Sequence, residues 1–190
     1  MRFSDIPPAE GPPILEAAWI IMVSSGCLIV RLNKRFKSIV MEEKLHFEIA
    51  IQASPEKVYE RLIDDQSYRE WTEPFYPGCF YKGSWNKNAR IQFLAVDEDG
   101  QLQGTFSRID EIIPNRYISI QHLGIIKDGE EVSSGPEVDP WKGAHEIYTL
   151  EKEDNLTKFS VELDNIDAME KFMLETWPKA LNRLKEICEQ

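Results

Sequence analysis

The sequence predicts an α+β fold of the helix-grip kind. In such a fold a curved antiparallel sheet of about six to seven strands wraps a long C-terminal helix, with two short helices after the first strand. Three observations carry this expectation. Met169, Phe172, Met173, Thr176, Trp177, Ala180, Leu181, Leu184 and Ile187 recur at three- and four-residue spacing, which places them on one face of a long helix. Residues 80–163 read almost wholly as strands separated by turns. The remaining helical signals sit together, directly after a first strand.

The elements follow in order. Leu45, Phe47, Ile49 and Ile51 alternate with His46, Glu48, Ala50 and Gln52, the pattern of a half-buried strand. Ser54 can accept bonds from free helix amides, and Pro55 at the first helical position forfeits none. Val58, Tyr59, Leu62 and Ile63 supply the buried face of that helix, Asp64-Asp65 interrupts it, and residues 67–71 form a second short one. Strands are expected over 80–85, 89–96, 102–113, 117–124, 144–152 and 157–163. Residues 127–142 hold several Gly and Pro breaks and read as an exposed loop or ragged hairpin. Consecutive hairpins of this kind make an antiparallel sheet, and the long helix lies on its concave face.

Composition narrows the functions. The apolar fraction of 42% and charged fraction of 29% describe a globular chain. A net charge of −11 argues against nucleic acid and against docking on anionic lipid, both of which need clustered Lys and Arg. Cys27, Cys79 and Cys188 are odd in number and far apart, with no CxxC, so they read as reduced thiols of a cytoplasmic protein.

Residues 1–42 differ from the rest and read as an N-terminal extension to a domain over 43–190. The first 41 residues carry five basic and three acidic side chains, although the chain as a whole is acidic. The apolar segment 14–30 is near the lower length of a membrane span and is followed by Arg31, Lys34, Arg35 and Lys37. Three readings stay open: an upstream extension before a start at Met41, a helix that docks on the domain or a partner, and a membrane anchor. A membrane is expected as a partner only in the last case.

The quoted pieces also resemble a known family. They are residues 51–59 (IQASPEKVY), Trp71, residues 83–86 (GSWN), 111–120 (EIIPNRYISI), 148–151 (YTLE) and 177–181 (WPKAL). In their order and spacing they are similar to the SRPBCC or START-like superfamily, within it to the C-terminal domain of the Hsp90 ATPase activator. The resemblance covers residues 43–188. It implies a helix-grip fold with an apolar cavity between sheet and helix. Members of that superfamily include binders of lipids and hormones, polyketide cyclases and co-chaperone domains. The Asn-Trp-His-Trp motif of the Hsp90 activator's other domain is absent from this sequence.

The first expectation for function is therefore a small hydrophobic-ligand-binding domain with no defined catalytic activity. The alternatives are a co-chaperone-like interaction domain and a cavity enzyme of the polyketide cyclase or hydrolase type. The expected partners are a small apolar ligand or a chaperone. Candidate ligand-binding residues are Trp71, Phe93, Phe106, Ile120, His122, Tyr148, Phe159, Phe172, Met173 and Trp177; each is equally a residue that a filled core would use. His122 and His145 would lie opposite each other if the intervening segment is a hairpin. With one other histidine, His46, and no nearby Cys or Asp, they read as cavity-orienting or solvent-facing groups, and no metal or other cofactor is expected. Glu146 and Glu162 are the carboxylates that a cavity could turn into bases. No phosphate loop or Ser-His-Asp arrangement is present, so no catalytic residue is named.

Overall fold

The computed structural model describes residues 44–164 and 166–190, so the extension over 1–42 lies outside the described residues. The elements are β1 (Lys44–Ile51), α1 (Pro55–Ile63), α2 (Asp65–Trp71), β2 (Phe80–Gly83), β3 (Arg90–Val96), β4 (Leu102–Ile113), β5 (Tyr117–Lys127), β6 (Glu130–Val132), β7 (His145–Glu153), β8 (Leu156–Asp164) and α3 (Asp167–Cys188). The eight strands among the described residues join one antiparallel sheet in the order β1-β8-β7-β5-β4-β3-β2, with β6 hydrogen-bonded to β5 beside this path. The sheet exceeds the expected six to seven strands by the three-residue β6, which pairs within the segment read as a ragged hairpin.

Local chemistry explains the boundaries. Ser54 accepts from the Lys57 amide at the start of α1, with Pro55 in the first turn. Asp64 ends α1 and caps α2, accepting from the Ser67 amide at 3.0 Å and the Ser67 hydroxyl at 3.1 Å. Those bonds hold its carboxyl below the ordinary range. Gly104 sets how closely β3 approaches β4: its φ is +152°, and a Cβ there would lie 1.9 Å from the Phe93 carbonyl oxygen.

The sheet's concave face and α3 share one core. Phe47, Ile109, Ile118, Ile120, Tyr148, Phe159 and Val161 come from the sheet, Val58, Leu62, Tyr68 and Trp71 from the short helices, and Trp177, Ala180, Leu181, Leu184 and Cys188 from α3. Two register shifts bend β4 against β5, between Phe106 and Ser107 and between Ile109 and Glu111. A smaller cluster of Leu94, Phe106 and Ile126 packs apart from the main core, with Phe80, Leu102 and Leu123 around it.

Trp177 is the densest joint. It is 2% exposed, and its ring lies 6.0 Å from Phe47, 6.2 Å from Trp71, 5.0 Å from Phe75 and 6.1 Å from Tyr148. Trp177→Ala is expected to lower stability by about 3–5 kcal/mol, the usual result of deleting a buried indole. Urea unfolding checks this, and an unchanged midpoint would show that the ring is not part of the core.

Candidate ligand cavity

The α3 face changes character along its length. From Ala180 to Cys188 it packs into the core. Toward its N-terminus, Met169, Phe172, Met173 and Trp177 instead wall a cavity of about 280 Å³. Across from them stand Tyr68 and Trp71 of α2, Phe75 of the following turn, Phe93 of β3 and Tyr148 of β7. The rings brace one another: Tyr68 stacks on Phe93 at 6.0 Å and meets Trp71 edge-on at 5.4 Å. The Trp71 indole donates to the Leu62 carbonyl at 3.2 Å, which fixes its plane.

A polar chain crosses one side of this space. Ser107 on β4 pairs in register with His122 on β5, and their side chains meet at 2.9 Å between the hydroxyl and Nδ1. His122 Nε2 lies 3.7 Å from the Glu146 carboxylate on β7. The Tyr148 hydroxyl donates to the same carboxylate. His122, Glu146 and Tyr148 line the cavity, whereas Ser107 is fully buried beside it. Its hydroxyl therefore holds the imidazole rather than meeting a ligand. Burial, then the neighbouring Glu146 charge, pushes the Tyr148 phenol well above its ordinary range, so it stays a donor. The Trp141 ring meets His122 edge-on at 6.1 Å.

Seven of the ten sequence candidates meet at this cavity: Trp71, Phe93, His122, Tyr148, Phe172, Met173 and Trp177. Phe106, Ile120 and Phe159 lie elsewhere. Thr105 pairs with Phe93, and both reach the cavity, so the next residue, Phe106, projects to the other side. There it packs on Leu94 and Ile126 beneath the Arg90 guanidinium. Ile120 and Phe159 are fully buried in the main core, and neither reaches the cavity wall.

The two histidines do not face each other. Gln121, not His122, pairs with His145. His145 turns instead to Asp110 at 3.3 Å and Asp164 at 3.5 Å. Among the described residues no group of three or more His, Cys, Asp or Glu side chains is placed to hold a metal ion. Glu162 points away, beside Lys44 and His46. Sequence reasoning did not place Tyr68, Phe75 or Trp141 in the site. Tyr68 carried a usable signal, since it precedes Trp71 by three positions on a helix and so shares its face. Phe75 and Trp141 lie outside regular elements, where periodicity says nothing.

Among the described residues, Cys79 and Cys188 are free thiols, and their surroundings hold them in the protonated form. Burial pushes Cys79, at the cavity wall, and Cys188, at the end of α3, from the ordinary 9.0 up to about 11. Comparison with known proteins gives the family. The family model described as "Activator of Hsp90 ATPase homolog 1-like protein" matches residues 52–189, and the chain belongs to that family. No curated protein matches the chain. Among solved structures it is similar to the Aha1 dimer from Colwellia psychrerythraea (23% identity, TM-score 0.57, covering 77% of this chain and 96% of that one). It is also similar to protein NE0264 from Nitrosomonas europaea (13%, 0.60, covering 78% and 95%). A third likeness is to DynU16 of the dynemicin biosynthetic locus (13%, 0.54, covering 75% and 46%). At these identities the likenesses establish the fold. No helix among the described residues is long and apolar enough to cross a membrane.

Two predictions follow from the buried groups. Ser107→Ala leaves His122 Nδ1 without its partner and is expected to reduce stability by about 1–3 kcal/mol, read by denaturant unfolding. For the thiols, the folded state binds the proton more tightly than the unfolded chain, so their contribution is intact below about pH 9 and is lost as pH rises toward 11. Unfolding midpoints are therefore expected to fall between pH 9 and pH 11, and to fall less in Cys188→Ala; a fall of equal size in that variant would sink the assignment.

Proposed function

We propose that residues 43–190 form a cytoplasmic domain that holds one small, mostly apolar molecule carrying a single hydrogen-bonding end. The observation that carries this is the cavity of about 280 Å³, aromatic on most sides and bordered on one by His122 and Glu146. Ligand sites of this kind are largely apolar, with a few convergent polar groups that set orientation. The braced rings favour a preformed space, so little ordering cost is incurred on binding. The dispersed cysteines, with Cys79 and Cys188 free thiols among the described residues, support a reducing compartment.

Calorimetry with 1-naphthalenemethanol, an apolar body with one hydroxyl, tests the reading. Saturable one-to-one binding is expected, weakened at least about tenfold in Met173→Trp, which adds bulk at the wall. Binding unaffected by that substitution would place the probe elsewhere. Native mass spectrometry of the chain purified from its host adds the identity of any retained molecule.

The family description favours a second reading, an interaction domain for the Hsp90 ATPase. Sedimentation of the chain with purified Hsp90 decides it: co-migration supports the second reading, and independent migration at tens of micromolar removes it.

A further inference from the structure

The charge of the cavity is one-sided. Three of the described residues that line it carry carboxylates, Glu146, Asp164 and Glu170, and none is a lysine or an arginine. Asp164 has cationic company, with Lys44 at 3.7 Å, and Glu170 is exposed on the first turns of α3. Glu146 is placed differently. Its side chain is 18% exposed, accepts from the Tyr148 hydroxyl, and has His122 at 3.7 Å. Among the described residues no lysine or arginine pairs with it, and an imidazole neutralises a carboxylate only when protonated.

A carboxylate offers about four acceptor positions, and desolvating it without a cation is unfavourable. Glu146 therefore retains acceptor capacity directed at a space it shares with aromatic faces. Tyr68, Trp71, Tyr148 and Trp177 supply those faces, to which a cation is drawn by the ring quadrupole.

We propose that the polar end of the ligand is a protonated amine, seated against Glu146, with the apolar body along the wall formed by Phe75, Phe172, Met173 and Trp177. This rests on the reading of the cavity as a ligand site and narrows it to one chemical class. A carboxylate, sulfate or phosphate head would meet like charge in a poorly solvated place. An alcohol can donate to Glu146 but leaves its charge unbalanced.

The test compares three probes that share one ring system: 1-naphthylmethylamine, 1-naphthalenemethanol and 1-naphthoic acid. Each is titrated calorimetrically into the full chain at pH 7. The amine is expected to bind at least about tenfold more tightly than the alcohol, with no measurable binding of the acid. In Glu146→Gln the amine's advantage is expected to shrink to about twofold or less, with folding checked by circular dichroism. Equal binding of amine and alcohol by the wild-type chain, or binding of the acid, overturns the amine assignment while leaving the cavity reading in place. An advantage that persists in a folded Glu146→Gln chain also overturns it. Failure of all three probes to bind overturns both. Should the variant not fold, the wild-type order of affinities decides the assignment.

Discussion

The sharing of one indole by four other rings is the constraint on which the rest depends. Trp177 meets Phe47 of β1, Trp71 of α2, Phe75 of the turn after α2 and Tyr148 of β7. These segments are distant in sequence, and dispersion among planar rings holds them at fixed separation. Trp177 also divides α3. Beyond it, Ala180, Leu181, Leu184 and Cys188 are packed against the sheet and α1. Before it, Met169, Phe172 and Met173 stand at the wall of open space. Pro178 follows directly, and without an amide hydrogen it leaves the carbonyl of Leu174 without a helical donor. Leu174 is 49% exposed, so water can take that role, and the helix keeps its length at little cost.

The polar side of the cavity has a different origin, in the bending of β4. Between its two register shifts, Ser107, Arg108 and Ile109 pair with His122, Gln121 and Ile120. Ile109 and Ile120 enter the core while Ser107 and His122, two positions further along the same face, meet each other. A buried imidazole needs hydrogen-bond partners; Ser107 meets Nδ1, and the Glu146 carboxylate stands 3.7 Å from Nε2. The arrangement has the residue types of a nucleophilic triad without its geometry, because the hydroxyl is sealed under the sheet. What remains at the cavity wall is an imidazole oriented by Ser107 and the Glu146 carboxylate.

Much of the fold was legible because its signals are periodic or local. The α3 face was visible at helical spacing, β1 at alternate residues, and the start of α1 in Ser54-Pro55. Cavity membership was legible only where residue type and face coincided. Trp71, Tyr148 and Trp177 are large aromatics on inward faces of regular elements, so identity and position agreed. Phe106 shows the limit: as a residue type it belongs inside, yet its pairing places it one step out of phase with Phe93. A second small cluster, with Leu94 and Ile126, buries it all the same. The sequence pattern registers burial and does not tell which face provides it. His145 illustrates the same point, since a hairpin register shifted by one residue replaces a histidine pair with two separate His–carboxylate contacts.

The persistence of the cavity itself bears on function. Phe172 and Met173 stand at its wall only partly buried, and Met is the most adaptable of apolar side chains. The rings of Tyr68, Trp71, Phe75 and Trp177 oppose collapse, because closing the space would break contacts they make with one another. Water can satisfy the edge at His122 and Glu146 but gains nothing from the aromatic walls. The same walls that make the space unfavourable when filled with water make it favourable when filled with an apolar body. The packing around Trp177 thus sets the shape of the cavity, with the Glu146 carboxylate at its edge on β7.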